Sequence, residues 1–260
     1  MDAILIAGGI PAPDEPLYEY TQGLPKAMVD VAGKAMIQWV LDALGEAQKV
    51  ENIILIGLSE DNTLKCAKPL HYVENKGSML ANIVAGIYKV LELNPQAEYV
   101  ISVSSDIPAI TGEMVDWLID SAMQTRHDIY YGIVTREVME ARYPGANRTF
   151  TKLADMHVCG ADMHIAHKSM VTDPEHLAMW DELIGKRKSP LKQAASIGFT
   201  TLFLLLTGKL SLDGAIERIT KRLKITGRAI QWDYAEPAMD VDKPHQLELL
   251  RADMESRVNA

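Results

Sequence analysis

The sequence predicts an α/β fold of three layers, a mostly parallel sheet with helices on both faces. Three observations carry this expectation. Short, nearly continuous apolar runs recur, as strands buried on both faces require. Segments of helical periodicity alternate with them, as crossover connections between parallel strands require. A glycine pair follows the first run directly, at the carboxyl edge of the predicted sheet, where open α/β folds bind ligands.

The elements follow in order. AILIA (residues 3–7) reads as a buried strand, MIQWVLDALGEA (36–47) as an amphipathic helix and NIILIGL (52–58) as a second strand. SMLANIVAGIYKVLEL (78–93) reads as a helix with Ser78 suited to its N-cap. YVISVSSD (99–106) is a strand, and TGEMVDWLIDSAMQT (111–125) the helix after it. The pattern then changes. DIYYGIVT (128–135) and MHIAHK (163–168) read as strands around RYPGANRTFTKLAD (142–155), within which RTFTK reads as a further strand. Residues 171–223 read mainly as helix. Their most apolar part, TTLFLLLTG (200–208), reads as a buried helix, far shorter than the ~20 residues that span a bilayer. LDGAIERITKRLKI (212–225) has helical spacing, RAIQWD (228–233) reads as a late strand, and a last helix starts near Pro244. No repeat or low-complexity linker interrupts the pattern. Residues 1–260 are expected to form one domain with a helical elaboration near 171–223.

Composition narrows the function. The chain of 260 residues is 48% hydrophobic, enough for a sizeable core. Its net charge of −9, without a basic stripe, argues against a nucleic-acid partner. The longest basic cluster, GKRK (185–188), reads as a solvated loop. Cys66 and Cys159 lie far apart without CxxC spacing, which fits a reduced, cytoplasmic protein. The amino terminus has no basic region ahead of its apolar run, so neither a signal peptide nor a membrane partner is expected.

The candidate chemistry begins at Ala7-Gly8-Gly9. Glycines let backbone N–H groups approach a phosphate without a Cβ in the way. The dinucleotide fingerprint GxGxxG and the P-loop pattern are both absent. A plain tight turn is the other reading. Asp106 ends a strand, where its charge faces the ligand crevice; a helix-capping role is the other reading. In MDVDKP (239–244), Asp240 and Asp242 lie two apart on an extended segment and point the same way. Asp242 reads as the cap of the helix that Pro244 opens, which leaves Asp240 for a ligand.

These segments stand in a telling order: ILIAGG, then LPKAMVDVAGKAMIQWVLDAL, then VISVSSDIP, then MDVDKPHQLELL. The arrangement resembles the nucleotidyltransferase superfamily. That group includes MobA-like NTP transferases such as molybdenum-cofactor guanylyltransferase, with cobinamide-phosphate and sugar-1-phosphate nucleotidylyltransferases. The resemblance covers almost the whole chain. It implies a Rossmann-like sheet of the GT-A type and transfer of a nucleoside monophosphate from a nucleoside triphosphate to a small phosphorylated acceptor, with release of pyrophosphate. It implies that Ala7, Gly8 and Gly9 wrap the phosphates and that Lys26, in the PK step, contacts them. Gly77 and Ser78 fall where the family contacts base and ribose. Asp106 and Asp240 would hold magnesium or manganese, and Lys26 and Asp106 would carry the catalysis. Arg148 and Lys152, spaced evenly on RTFTK, would meet an acceptor phosphate; positive charges guarding an edge strand are the other reading.

One departure stands out. Relatives carry an arginine in the phosphate loop, in a pattern like AGGxGxR. Here AGGIPAPDEPLYEYTQGLPK (7–26) has no base between Gly9 and Lys26, but has Asp14, Glu15 and Glu19. Those acids are expected to face solvent or to meet a metal or a basic partner. Pro11, Pro13 and Pro16 are expected to stiffen the loop into an extended arm. A non-enzymatic nucleotide sensor on the same fold is the main alternative function. A GT-A glycosyltransferase is weaker, because SSDIP offers one acid where a DxD pair is expected. His157, His164 and His167 lack metal-ligand spacing and are given no role. Residues 171–223 are expected to cover a bulky acceptor or to form a homodimer face; exposed apolar residues at 200–206 would favour the dimer.

Overall fold

The computed structural model describes residues 1–185 and 189–259. Residues 186–188, most of the GKRK stretch expected as a solvated loop, and residue 260 lie outside the described residues.

Strand β1 (Asp2–Ile6) leads through the glycine turn to a short helix, α1 (Tyr18–Thr21), and a 3-10 helix (Lys26–Met28). A small hairpin of β2 (Asp30–Val31) and β3 (Lys34–Ala35) precedes α2 (Met36–Glu46). Then come β4 (Ile53–Ile56), β5 (Leu70–Val73), α3 (Met79–Leu93), β6 (Tyr99–Ser104) and α4 (Gly112–Met123). Next are β7 (Ile129–Thr135), α5 (Arg136–Arg142), β8 (Thr151–Lys152) and the long β9 (His157–His167). The helical elaboration is α6 (Ser169–Thr172), α7 (Pro174–Gly185), α8 (Pro190–Ile197), α9 (Phe199–Leu206) and α10 (Leu212–Leu223). Strand β10 (Gly227–Trp232) and helix α11 (Pro244–Val258) come last.

The main sheet runs in the order β10-β7-β9-β6-β1-β4-β5, with β8 paired to β9. All its pairings are parallel except those of β9, which lies antiparallel to β6, β7 and β8. Alternation along the strands sorts side chains into layers. Ala3, Leu5, Ile53, Leu55, Ile101, Val103, Met163 and Ile165 face α2, α4 and α11 in the largest core. Ile4, Ile54, Ile56 and Val100 face the other way, against Ile87 and Val90 of α3. Two smaller cores on that second face tuck α9 and α10 against β7 and β9. The expected α/β three-layer sheet is therefore the observed one. Among the described residues, no helix is long and apolar enough to cross a membrane.

Three local expectations are corrected. The helix at 200–206 is not buried. Thr201 faces inward and Leu204 and Leu205 pack on Leu210, but Phe199 is 81% exposed, Phe203 53% and Leu206 64%. An eight-residue helix packed on one side has a second side, and here that side is apolar too. RTFTK is not a strand throughout, since only Thr151 and Lys152 pair with β9. Gly145 and Asn147 take positive φ (84° and 51°), so the chain arrives at Arg148 out of a turn and the even-spacing argument does not hold. The prolines of the first loop do not make an extended arm. Residues 12–15 close a turn, with Glu15 N–H donating to Ala12 C=O at 2.9 Å, and α1 follows at once. Asp14, Glu15 and Glu19 are exposed, the first of the two placements expected of them.

Candidate functional site

The site lies at the carboxyl ends of β1, β4 and β6. Ala7 N–H still belongs to the sheet, donating to Ile56 C=O at 2.8 Å. Beyond it the chain packs backbone on backbone. Gly57, with φ +101°, sits so close to Gly8 that a Cβ on it would fall 2.3 Å from the Gly8 Cα. A Cβ on Gly8 would fall 2.6 Å from Asn75 Nδ2. Glycine at 57 is thus a packing requirement, and glycine at 8 leaves room for the Asn75 side chain. Gly9 differs: a Cβ there would meet nothing within 4 Å, and Gly9 is exposed, so its surroundings are open to a ligand. Gly9 C=O accepts from Lys26 N–H at 2.9 Å, so the loop between them closes on itself and sets Lys26 beside the glycine turn.

The segment expected at base and ribose is tied to the same turn. Asn75 Nδ2 donates to Gly8 C=O at 3.0 Å, and Asn75 Oδ1 accepts from Gly77 N–H at 2.9 Å. Buried Asn82, on the first turns of α3, donates to Asn75 at 3.2 Å and accepts from Lys76 N–H at 2.7 Å. Gly77 has φ +86°, a conformation that favours glycine. Ser78 caps α3, its hydroxyl accepting from Ala81 N–H at 3.1 Å. Gly77 and Ser78 are exposed beside the glycine turn.

The carboxylates converge. Asp106 and Asp240 are each 8% exposed, and Val241 N–H donates to Asp106 C=O at 3.0 Å, which joins their two loops. Asp106 is no helix cap: Thr111 takes that place on α4, while Asp106 Oδ1 accepts from Ser104 Oγ at 2.6 Å. Asp242 is not the cap either, contrary to expectation. Lys243 holds the N-cap position of α11, and Asp242 Oδ1 accepts from Lys26 Nζ at 3.0 Å. One oxygen each of Asp106, Asp240 and Asp242 lie within 4.8 Å of one another.

Two cations sit among these acids. Lys26 bridges Asp106 and Asp242. Burial alone would lower its pKa, but the two carboxylates outweigh burial and hold the ammonium above its ordinary range. Arg148 pairs with Asp240. Lys152 is exposed on β8 and takes no part in the ion pairs of this cluster among the described residues. Thus Lys26, Asp106, Asp240 and Arg148 come together, with Ala7, Gly8, Gly9, Gly77 and Ser78 at the same sheet edge, and Lys152 does not join them.

Sequence reasoning missed three participants. Asp242 was assigned to a cap although it reads equally as a ligand. Asn75 gave no signal, since its role is a tether between two loops. Asp162 gave none, since it falls just ahead of the strand expected at 163–168 and lies inside β9 only in the structure. Burial, with the charge of Asp106, pushes its carboxyl up to about 7.

Residues 19–180 match the family described as MobA-like NTP transferase domain. A structure described as a hypothetical transferase from Thermus thermophilus superposes with a TM-score of 0.79 at 30% identity, covering 95% of this chain and 98% of that one. CMP:2-keto-3-deoxy-manno-octonic acid synthetase, in complex with CTP, gives 0.54 at 16% identity, over 98% of this chain and 99% of that one. 4-Diphosphocytidyl-2C-methyl-D-erythritol synthase from Anaerococcus prevotii gives 0.57 at 14% identity, over 98% and 95%. The last two share the fold. With a family match over most of its length, a glycine turn and a carboxylate cluster at the same sheet edge, the chain belongs to the MobA-like NTP transferase domain family.

Proposed function

We propose that this protein transfers a nucleoside monophosphate from a nucleoside triphosphate to a small phosphorylated acceptor. The observation that carries the reading is the position of Lys26. Its backbone is bonded to the glycine turn while its ammonium lies between Asp106 and Asp242. The CTP held by the synthetase of similar fold supports a triphosphate as donor.

In the proposed reaction an acceptor phosphate oxygen attacks the α-phosphorus in line. A P–O bond forms to the acceptor, the bond to the β-phosphate oxygen breaks, and pyrophosphate leaves with its electron pair. Gly8 and Gly9 border the triphosphate, and Gly77 and Ser78 border base and ribose. Lys26 serves as a mobile point charge on the phosphates. Arg148 supplies a guanidinium close to the crevice, a charge the loop between Gly9 and Lys26 lacks. Catalysis is then positioning and charge neutralisation, without a covalent intermediate on the protein. Three clustered carboxylate oxygens form the hard, all-oxygen set that magnesium or manganese prefers, so Asp106, Asp240 and Asp242 fit such an ion. When bound, it would neutralise phosphate charge.

A screen of the four nucleoside triphosphates against sugar, polyol and cofactor phosphates, read by pyrophosphate release, tests the proposal. Release with one pair supports it. Nucleotide binding with silence across the panel replaces it with the sensor reading, which the arginine-free loop favours.

We also propose a second copy of this chain as the cover of α9. Its eight residues carry no charge, so a two-fold contact of α9 with α9 brings no like charges together.

A further inference from the structure

The second face of the sheet should be apolar wherever helices cover it. Strand register shows where it is not. One row across the sheet reads His71, Ile54, Ile4, Ser102, His164, Tyr131, Ala229. Inside the edge residue His71 it is apolar on β4 and β1, polar over the three strands β6, β9 and β7, and apolar again at Ala229. The preceding row, at the amino-terminal side of β6, holds Val100, Ala166 and Ile129 and is packed under helices. In the other direction the polar character continues through Ser104 and Asp162 to Asp106. A polar strip therefore starts at mid-sheet and runs to the carboxylate cluster. The core under α3 borders it on one side, and the cores under α9 and α10 border it on the other.

The strip is a built surface. Tyr131 stacks on His164 with centroids 4.3 Å apart and planes 11° from parallel. A Cβ on Gly160 would lie 2.5 Å from the Tyr131 hydroxyl, so a larger residue at 160 would shift the phenol from its place along β9. His164 Nδ1 accepts from Gly132 N–H at 3.3 Å, which leaves Nε2 as the donor of the neutral ring. Burial pushes the His164 imidazole down to about 4 and the Tyr131 phenol up to about 12. Tyr131 is nevertheless 45% exposed. Solvent therefore reaches the phenol.

We propose that this strip, formed by Ser102, Ser104, Gly160, Asp162, His164 and Tyr131, is the acceptor subsite and takes a polyhydroxylated body, a sugar or polyol, with its phosphate toward Arg148. The inference rests on the transferase reading. Hydroxyl, carboxyl and imidazole groups are what a ring of hydroxyls pairs with. The strip carries no cation for a second phosphate. From Ser102 to Asp106 it is about 13 Å long at strand rise, room for one sugar ring and its phosphate.

The test is calorimetric binding of glucose 1-phosphate, glycerol 3-phosphate and phenyl phosphate. Titrations use full-length protein with magnesium and a non-hydrolysable triphosphate analogue. Ser102→Ala and Gly160→Ala are the variants, with melting curves to confirm folding. The expected result is binding of a sugar or polyol phosphate ahead of phenyl phosphate. That binding weakens about tenfold in each variant, by loss of a hydroxyl partner in Ser102→Ala and by displacement of Tyr131 in Gly160→Ala, while analogue affinity stays within about twofold. Preference for phenyl phosphate, acceptor affinity unmoved in both folded variants, or no sugar or polyol phosphate bound overturns the proposal. Acceptor binding that responds to the variants without pyrophosphate release from natural triphosphates would remove the transferase reading and leave the subsite standing.

Discussion

Lys26 Nζ lies 3.0 Å from Asp242 Oδ1, a contact between two ends of the chain that also takes in Asp106. The ammonium neutralises carboxylates here, and it is the charge proposed to meet phosphate. Lys26→Ala is therefore expected to have opposite effects on two ligands. Triphosphate affinity falls by roughly 1.5–3 kcal/mol, more than nucleoside affinity, while magnesium alone binds more tightly because two carboxylates are freed. Calorimetry with each ligand checks this. An equal loss for nucleoside and triphosphate would move Lys26 to a role in folding or base contact.

Asp106→Asn should abolish metal-dependent nucleotide binding, because Asp106 is a buried member of the cluster, tied to the end of β6 through Ser104. Affinity measured with magnesium and with chelator should coincide in this variant. Full retention of the metal effect would assign the ion to other residues.

The Asn75 tether predicts a quieter phenotype. Asn75→Ala removes the bond to Gly8 C=O and frees the loop ahead of α3. Nucleotide affinity should drop roughly fivefold, one ordinary hydrogen bond, with little change in melting temperature because the site is exposed. A large loss of stability with normal affinity in the surviving folded protein would make Asn75 a structural residue only.

His164 and Asp162 predict opposing pH dependence. The His164 pKa falls from 6.5 to about 4 on folding, so between those values the unfolded chain holds the extra proton and stability rises with pH. The Asp162 pKa rises from 3.8 to about 7, so there the folded chain holds the proton and stability falls as pH rises. Each slope is a fraction of about 1.4 kcal/mol per pH unit, reduced by partial exposure. Between about pH 4 and 6.5 they offset each other. Melting curves of His164→Gln should lose stability with rising pH relative to wild type, and those of Asp162→Asn should gain it. Identical slopes in all three proteins would refute the assignment.

The outer face of α9 predicts the oligomeric state. Sedimentation should give a dimer, and Phe203→Glu should give a folded monomer. A monomeric wild type at high concentration would leave α9 to another cover.

Much of this was legible in the sequence because period-two and period-3.6 patterns follow from burial, which acts locally. β1, α2, β4, α3, β6 and α4 lie within a residue or two of their expected places, whereas α1, β5 and α5 were not expected and β9 begins six residues before the strand expected at 163–168. Asp242 was misread because a residue just before a proline-led helix fits a cap and a ligand alike. Only the approach of Lys26, from 216 residues away, decides between them. Arg148 was expected for the wrong reason, since a turn and not a strand brings it to Asp240. The polar strip was out of reach because Ser102, His164 and Tyr131 become neighbours only through strand register. The bare side of α9 was hidden because apolar composition does not reveal which face a neighbour covers.

The span between Lys26 and Asp242 also bears on how the protein is made. Translation at about 5–20 residues per second needs roughly 10–40 s to cover that interval. Through that time the glycine turn and Lys26 are outside the ribosome without Asp240 and Asp242. A nascent chain can dock β1, β4 and β6 and still lack two of its three clustered carboxylates. On the proposed function, competence for metal and nucleotide would then be reached late, and in one step, when the segment leading into α11 docks. An arrest series should show no metal-dependent nucleotide capture by chains stopped before residue 240, and capture soon after that segment clears the exit tunnel.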